Sequence, residues 1–161
     1  MPERPFAIRP GRDEDRVPLA SLFAAVAEER DGIAAEPPVD VVRRAAAFEL
    51  DATLVATARD DVVGGIWIDG PFFGLGELGM LVARGWRGRG VGSALVEAAI
   101  EWGRGRGLHK LSLAVFPHNR AAIALYRKHG FEVEGRRRKH IRRASGELWD
   151  LIEMGLLLGD E

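Results

Sequence analysis

Apolar positions change their period along this chain, and each change marks an element. Phe6 to Arg9 alternates apolar and charged side chains, as a short strand does, and Pro10-Gly11 breaks it. Val17, Leu19, Ala20, Leu22, Phe23 and Val26 then follow helical steps, from a start near Asp13 to an end near Arg30. A loop from Gly32 to Pro38 leads to a second helix, capped by Asp40 and carrying Val41, Val42, Ala45 and Phe48. Thr53 to Arg59 and Val62 to Asp69 read as two strands turned at Asp60-Asp61. Gly70-Pro71 opens a loop whose Phe72, Phe73 and Leu75 suit either packing over a core or a pocket wall. Leu78 to Val82 is short and apolar, as a buried strand would be.

Val91, Ala94, Leu95, Ala98 and Trp102 form the next helical face, which Gly103, Gly105 and Gly107 stop. Lys110 to Phe116 alternates again, with Leu111, Leu113 and Val115 on one side. Asn119 caps a helix bearing Ala122, Ile123, Leu125 and Tyr126, and Gly130 ends it. Phe131 to Arg143 and Glu147 to Leu157 read as a closing hairpin turned at Ala144-Ser145-Gly146. The expected fold class is α/β: one domain, residues 1–161, built on a mixed sheet of about seven strands with about four helices on both faces.

Composition narrows the chemistry. Length, 47% apolar content and 29% charge suit an ordinary globular domain. A net charge of −1 gives no general pull toward nucleic acid or an anionic membrane. The basic run from Arg136 to Arg143 has no interleaved aromatics and reads as a solvated strand face. There is no Cys, which excludes disulfides, thiolate metal sites and cysteine nucleophiles, and no metal is expected. No apolar run follows Met1, so no signal peptide is expected and a cytoplasmic location is the default.

The informative stretch runs from Glu77 to Ser93, a strand followed by Arg87-Gly88-Arg89-Gly90-Val91-Gly92 and then a helix. Glycines let backbone approach closely, and a helix N-terminus favours an anion, so the arrangement suits a phosphate. It is not the nucleotide P-loop, because no Lys follows the last glycine. Nor is it the dinucleotide fingerprint, because Ser93 stands at its third glycine and no acid lies near Leu108 to Lys110. What remains is Arg-x-x-Gly-x-Gly at Arg87, Gly90 and Gly92; taken alone, it also fits a basic strand-to-helix turn.

A second run decides between these. Asn119 to Phe131 contains Asn-x-x-Ala-x-x-Leu-Tyr-x-Lys-x-Gly-Phe. Together the two motifs resemble the GCN5-related N-acetyltransferases, strongly from Glu77 to Phe131 and weakly before Leu50. The resemblance implies two splayed central strands and acetyl-CoA as co-substrate. It implies that Met80, Leu81 and Val82 hold the pantetheine arm, with the Val82 N–H near the acetyl oxygen. Arg87, Gly88, Arg89, Gly90, Val91, Gly92 and Ser93 would take the pyrophosphate, and Asn119 and Ala122 would flank the arm. Tyr126, the chain's one Tyr, falls on the family's general-acid position. One branch of the family carries its base where Ala114 stands, so Glu77 is the candidate base here, with Asp150 and His118 behind it.

Arg136 to Asp150 looks like the closing hairpin of the branch that acylates free amino acids and other small amines. The expected reaction is therefore transfer of an acetyl group to the primary amine of a small molecule. A protein N-terminus or lysine is the alternative acceptor. A non-catalytic acyl-CoA-binding module is the alternative of another kind. A homodimer would cover the sheet edge left by the last hairpin.

Overall fold

The computed structural model describes residues 4–159. Met1 to Glu3, on which the signal-peptide expectation partly rests, lie outside it. Eleven α-helices and strands follow in the expected order: β1 (Ala7–Pro10), α1 (Arg16–Ala27), α2 (Val41–Ala47), β2 (Thr53–Ala58), β3 (Asp61–Phe72), β4 (Leu75–Val82), α3 (Val91–Gly105), β5 (Lys110–Val115), α4 (Arg120–Lys128), β6 (Glu132–Arg142) and β7 (Leu148–Leu157).

The strands form one seven-stranded sheet in the order β1-β2-β3-β4-β5-β7-β6. Every pairing is antiparallel except β4 with β5. That parallel pairing lasts only three rungs, Leu75↔Lys110, Gly76↔Leu111 and Glu77↔Ser112. Beyond Glu77 the two strands separate, giving the splay at the middle of the sheet that the motifs implied.

Alternation along each strand sends side chains to two separate cores. Ile66, Ile68 and Leu78 pack with Val91, Leu95 and Tyr126 on the face covered by α3 and α4. Val55 and Trp67 pack with Leu19, Ala45 and Phe48 under α1 and α2 on the other face. β6 is the edge strand, and its cations are tied back to β7: Arg136 to Asp150 and Arg137 to Glu153, each at 2.7 Å. An edge so charged resists pairing with another strand.

Two expectations change. β3 and β4 extend to a tight turn at Phe73 and Gly74, both with positive φ, so the expected loop is largely strand. Phe72 and Phe73 are 73% and 98% exposed and neither cover a core nor wall a pocket. The first helix begins at Arg16, because Asp13–Asp15 form a 3₁₀ turn. There the Asp15 carboxylate takes the Arg12 N–H at 2.7 Å and the Arg9 guanidinium at 2.7 and 3.0 Å.

Candidate functional site

The glycine loop hangs between the end of β4 and the start of α3. Gly90 is the helix N-cap at φ +88°, and Gly88 lies at φ +72°; L side chains avoid this region. The first helical bond runs from the Ala94 N–H to the Gly90 carbonyl at 3.1 Å. The Val91, Gly92 and Ser93 N–H groups therefore have no acceptor among the described residues. Gly88 has no other atom within 4 Å of where a Cβ would stand, and Gly90 only the tip of Phe6 at 4.0 Å. The loop thus offers bare amides and an open approach, which is the form of an anion site. Its shape is fixed from outside, by Arg89 stacked 3.9 Å over Trp86 and Trp86 edge-on to Phe6.

The side chain of Arg87, expected on a phosphate, is engaged elsewhere. It donates from Nε to the Val82 carbonyl at 3.0 Å and grips both carboxylate oxygens of Glu29 at 2.7 and 2.8 Å. The Arg87 hydrogen bond holds the Glu29 carboxyl below the usual range, and Glu29 in turn raises Arg87. Arg87 therefore ties the loop to the end of α1.

The backbone of β4 divides in a regular way. Ala83 donates to Val63 at 2.8 Å, so by alternation Leu81 also turns its N–H and C=O toward β3. Met80 and Val82 turn theirs toward the splay, where β5 no longer follows. Of the three residues expected to hold an arm, Met80 offers both backbone groups to the opening and Val82 its N–H, since Arg87 takes the Val82 carbonyl. Leu81, 3% exposed, offers neither.

Helix α4 closes against this loop. Asn119 caps it by accepting the Ala122 N–H at 3.2 Å, which leaves the Asn119 side-chain NH₂ free to donate. Gly92 allows the contact: a Cβ there would meet Leu125 at 2.9 Å, Met80 at 3.7 Å and Val82 at 3.9 Å. The Ser93 hydroxyl lies 3.1 Å from His129 Nε2 and 3.4 Å from Lys128 Nζ, which brings an imidazole and one further cation to the loop. Tyr126 is buried, edge-on to Phe131 at 5.7 Å, and burial pushes its phenol up to about 12. Its hydroxyl has no hydrogen-bond partner among the described residues. No wholly buried side-chain oxygen there lacks one, so this hydroxyl is not completely sealed from solvent.

Glu77 lies on the opposite face. It occupies the last rung shared by β4 and β5, exposed, directly across from Asp69 on β3. Neither carboxylate has an ion-pair partner among the described residues, and like charges set opposite one another are normally avoided. Beside them the Trp67 indole lies across Gly79, its Nε1 where a Cβ would clash. Strand β4 therefore separates Tyr126 from Glu77, and any chemistry joining them passes through the splay. Asp150 is held low by the Lys139 N–H and the Arg136 guanidinium, which makes it a poor base. His118 Nε2 is 2.7 Å from the Asp31 carbonyl, so that nitrogen carries a proton and is committed.

Sequence reasoning missed Glu29, Asp69, Trp67, Lys128 and His129 as neighbours of the site. Lys128 and His129 sat inside the second motif, while the other three gave no local signal. Among the described residues, no group of three or more His, Asp or Glu could hold a metal ion. No helix there is long and apolar enough to cross a membrane.

The profile of the acetyltransferase (GNAT) family matches residues 19–131, more than half the chain, and the chain belongs to that family. It is 38% identical over 109 residues to the L-amino acid N-acetyltransferase AaaT of Escherichia coli, a stretch covering 63% of this chain and 65% of AaaT. The matched region thus spans just under two thirds of that relative. A ribosomal-protein-alanine N-acetyltransferase from Brucella melitensis has the same fold, with a TM-score of 0.85, 30% identity and coverage of 94% and 99% of the two chains. The yncA protein of Salmonella typhimurium, solved with its cofactor acetyl-CoA, superposes with a TM-score of 0.86 at 23% identity, covering 97% and 95%.

Proposed function

We propose that this chain is one acetyltransferase domain that moves an acetyl group from acetyl-CoA to the primary amine of a small molecule, foremost an amino acid. The observation that carries the reading is the unpaired edge of β4. It lies between a loop of bare amides and a buried phenol whose hydroxyl is free. Acetyl-CoA supplies the acetyl group as a thioester. Val91, Gly92 and Ser93 would bind its diphosphate through their N–H groups, with Lys128 adding charge beside them. Met80 and Val82 would hold the arm through backbone, and the Val82 N–H would donate to the developing oxyanion, a contribution of about 3 kcal/mol.

The acceptor nitrogen forms the new C–N bond as the C–S bond breaks, and the ammonium proton ends on sulfur. Glu77, seconded by Asp69, would draw a protonated amine to the acceptor face and take its proton, directly or through water. Tyr126 would meet the departing sulfur from the other face. The likeness to AaaT and the closing hairpin support an amino-acid acceptor. The Brucella relative supports a protein α-amine as the second reading.

Release of coenzyme A thiol, measured with a panel of L-amino acids, polyamines and an alanine-ended peptide, tests the assignment. Turnover with amino acids is expected. Turnover with the peptide alone would move the acceptor to the second reading. Tight acetyl-CoA binding without turnover of any amine would make the domain a binding module.

A further inference from the structure

Arg143 is the most deeply buried cation in the described structure, with 3% of its surface exposed. Its guanidinium lies 4.3 Å from the Trp149 ring and 5.2 Å from that of Phe116. It donates to the Ala34 carbonyl at 2.9 Å, the Arg30 carbonyl at 3.0 Å and the Ile33 carbonyl at 3.5 Å, and it lies 3.7 Å from the Glu36 carboxylate. Glu36 also accepts the Ala144 N–H at 2.7 Å. Burying a guanidinium costs free energy that an apolar side chain at the same place would not incur. Here that cost is spent on the segment 28–40 between α1 and α2, whose backbone from Asp31 onward has no helix or strand of its own.

The path of this segment gives the contacts a purpose. It leaves α1 at Glu29, which Arg87 ties to Val82 at the end of β4. It passes His118, just beyond the end of β5, through the Asp31 carbonyl. It then reaches the β6–β7 turn at Arg143 and Ala144. Since β4 and β5 have already parted after Glu77, this strap crosses the wide end of the splay on the Glu77 face.

We propose that Arg143 is a positioning residue that staples the strap across the acceptor side of the splay. The strap sets the size of acceptor admitted: compact free amines pass beneath it, whereas the end of a longer chain does not. This rests on the small-amine reading above and goes beyond it by naming the gate and the residue that holds it.

The full-length chain is compared with Arg143→Met and, in case that variant folds poorly, Glu36→Gln, which removes only the strap's own anion. Acceptors are the best L-amino acid of the panel and the tripeptide that begins with it. Arg143→Met is expected to raise the amino-acid KM about 10-fold with kcat and the acetyl-CoA Kd nearly unchanged, and to narrow discrimination against the tripeptide about 10-fold. Arg143→Lys, which keeps the charge without the fork, should recover part of both. Unchanged KM and unchanged discrimination in folded variants overturn the proposal, and so does equal use of both acceptors by the wild type. Amide exchange over residues 30–36 reads the staple without turnover. Protection lost in Arg143→Met supports it and equal protection overturns it, so a wrong acceptor class and a wrong staple give different results.

Discussion

Tyr126 concentrates the residue-scale chemistry. Burial raises the phenol to about 12, so it stays protonated wherever the enzyme would work. Complete transfer of its proton to a thiolate with a pKa of about 8.5 would be uphill by roughly 5 kcal/mol. The group is therefore better suited to donating a strong hydrogen bond to the leaving sulfur while the ammonium proton finds its way there. Tyr126→Phe is expected to lower the single-turnover rate about 100-fold with the acetyl-CoA Kd little changed. In the wild type, kcat/KM should rise with pH as the amine loses its proton, and it should not fall by pH 10, because burial pushes the phenol up to about 12. A falling limb near pH 9 that vanishes in Tyr126→Phe would refute this environment for the phenol.

At the scale of elements, strand, loop and helix act as a unit. β4 loses its neighbour after Glu77 and so presents backbone, while α3 begins with N–H groups that nothing in the described structure takes. The loop between them is held by a cation–π stack and by the Arg87–Glu29 pair, not by anything an anion would displace. Gly90→Asp tests the unit. The side chain points into open space, so the protein should fold, at a cost of about 1 kcal/mol for a non-glycine residue in the left-handed region. A carboxylate among those amides should abolish coenzyme A binding by calorimetry. Wild-type affinity would mean that the diphosphate binds elsewhere.

The whole molecule depends on a few charges that join distant parts of the chain. Arg9 and Asp15 link β1 to the turn before α1 as a two-pronged pair with Asp15 buried. Burial alone would raise the Asp15 carboxyl. The Arg9 hydrogen bonds, the Arg12 N–H and the nearby positive charge outweigh it, so the folded-state value is lowered. Such a group stabilises the fold above its unfolded pKa, near 4, and that contribution disappears as pH falls through the lower folded value. Asp15→Asn should therefore cost about 2 kcal/mol in urea unfolding at pH 7 and progressively less below pH 4. An equal loss at pH 3 and pH 7 would show that packing, and not the charge, holds this junction.

Local information was enough for the order of elements, the glycine loop, the Asn119 cap and the place of Tyr126 in its helix. Each depends on residues within a few positions of one another: period, capping and turn chemistry. The branch of contacts around the site did not lie within that range. Arg87 meets Glu29, Asp69 faces Glu77, Trp67 lies over Gly79, and Arg143 grips a segment from the first quarter of the chain. The separation of β4 from β5 likewise entered the sequence reading through family likeness alone, because no residue on either strand forbids a fourth rung. Hydrophobic period and backbone preference are local properties and can be read along one dimension. Ion pairs, stacked rings and strand divergence depend on which distant surfaces share the two cores, and only the folded chain decides that.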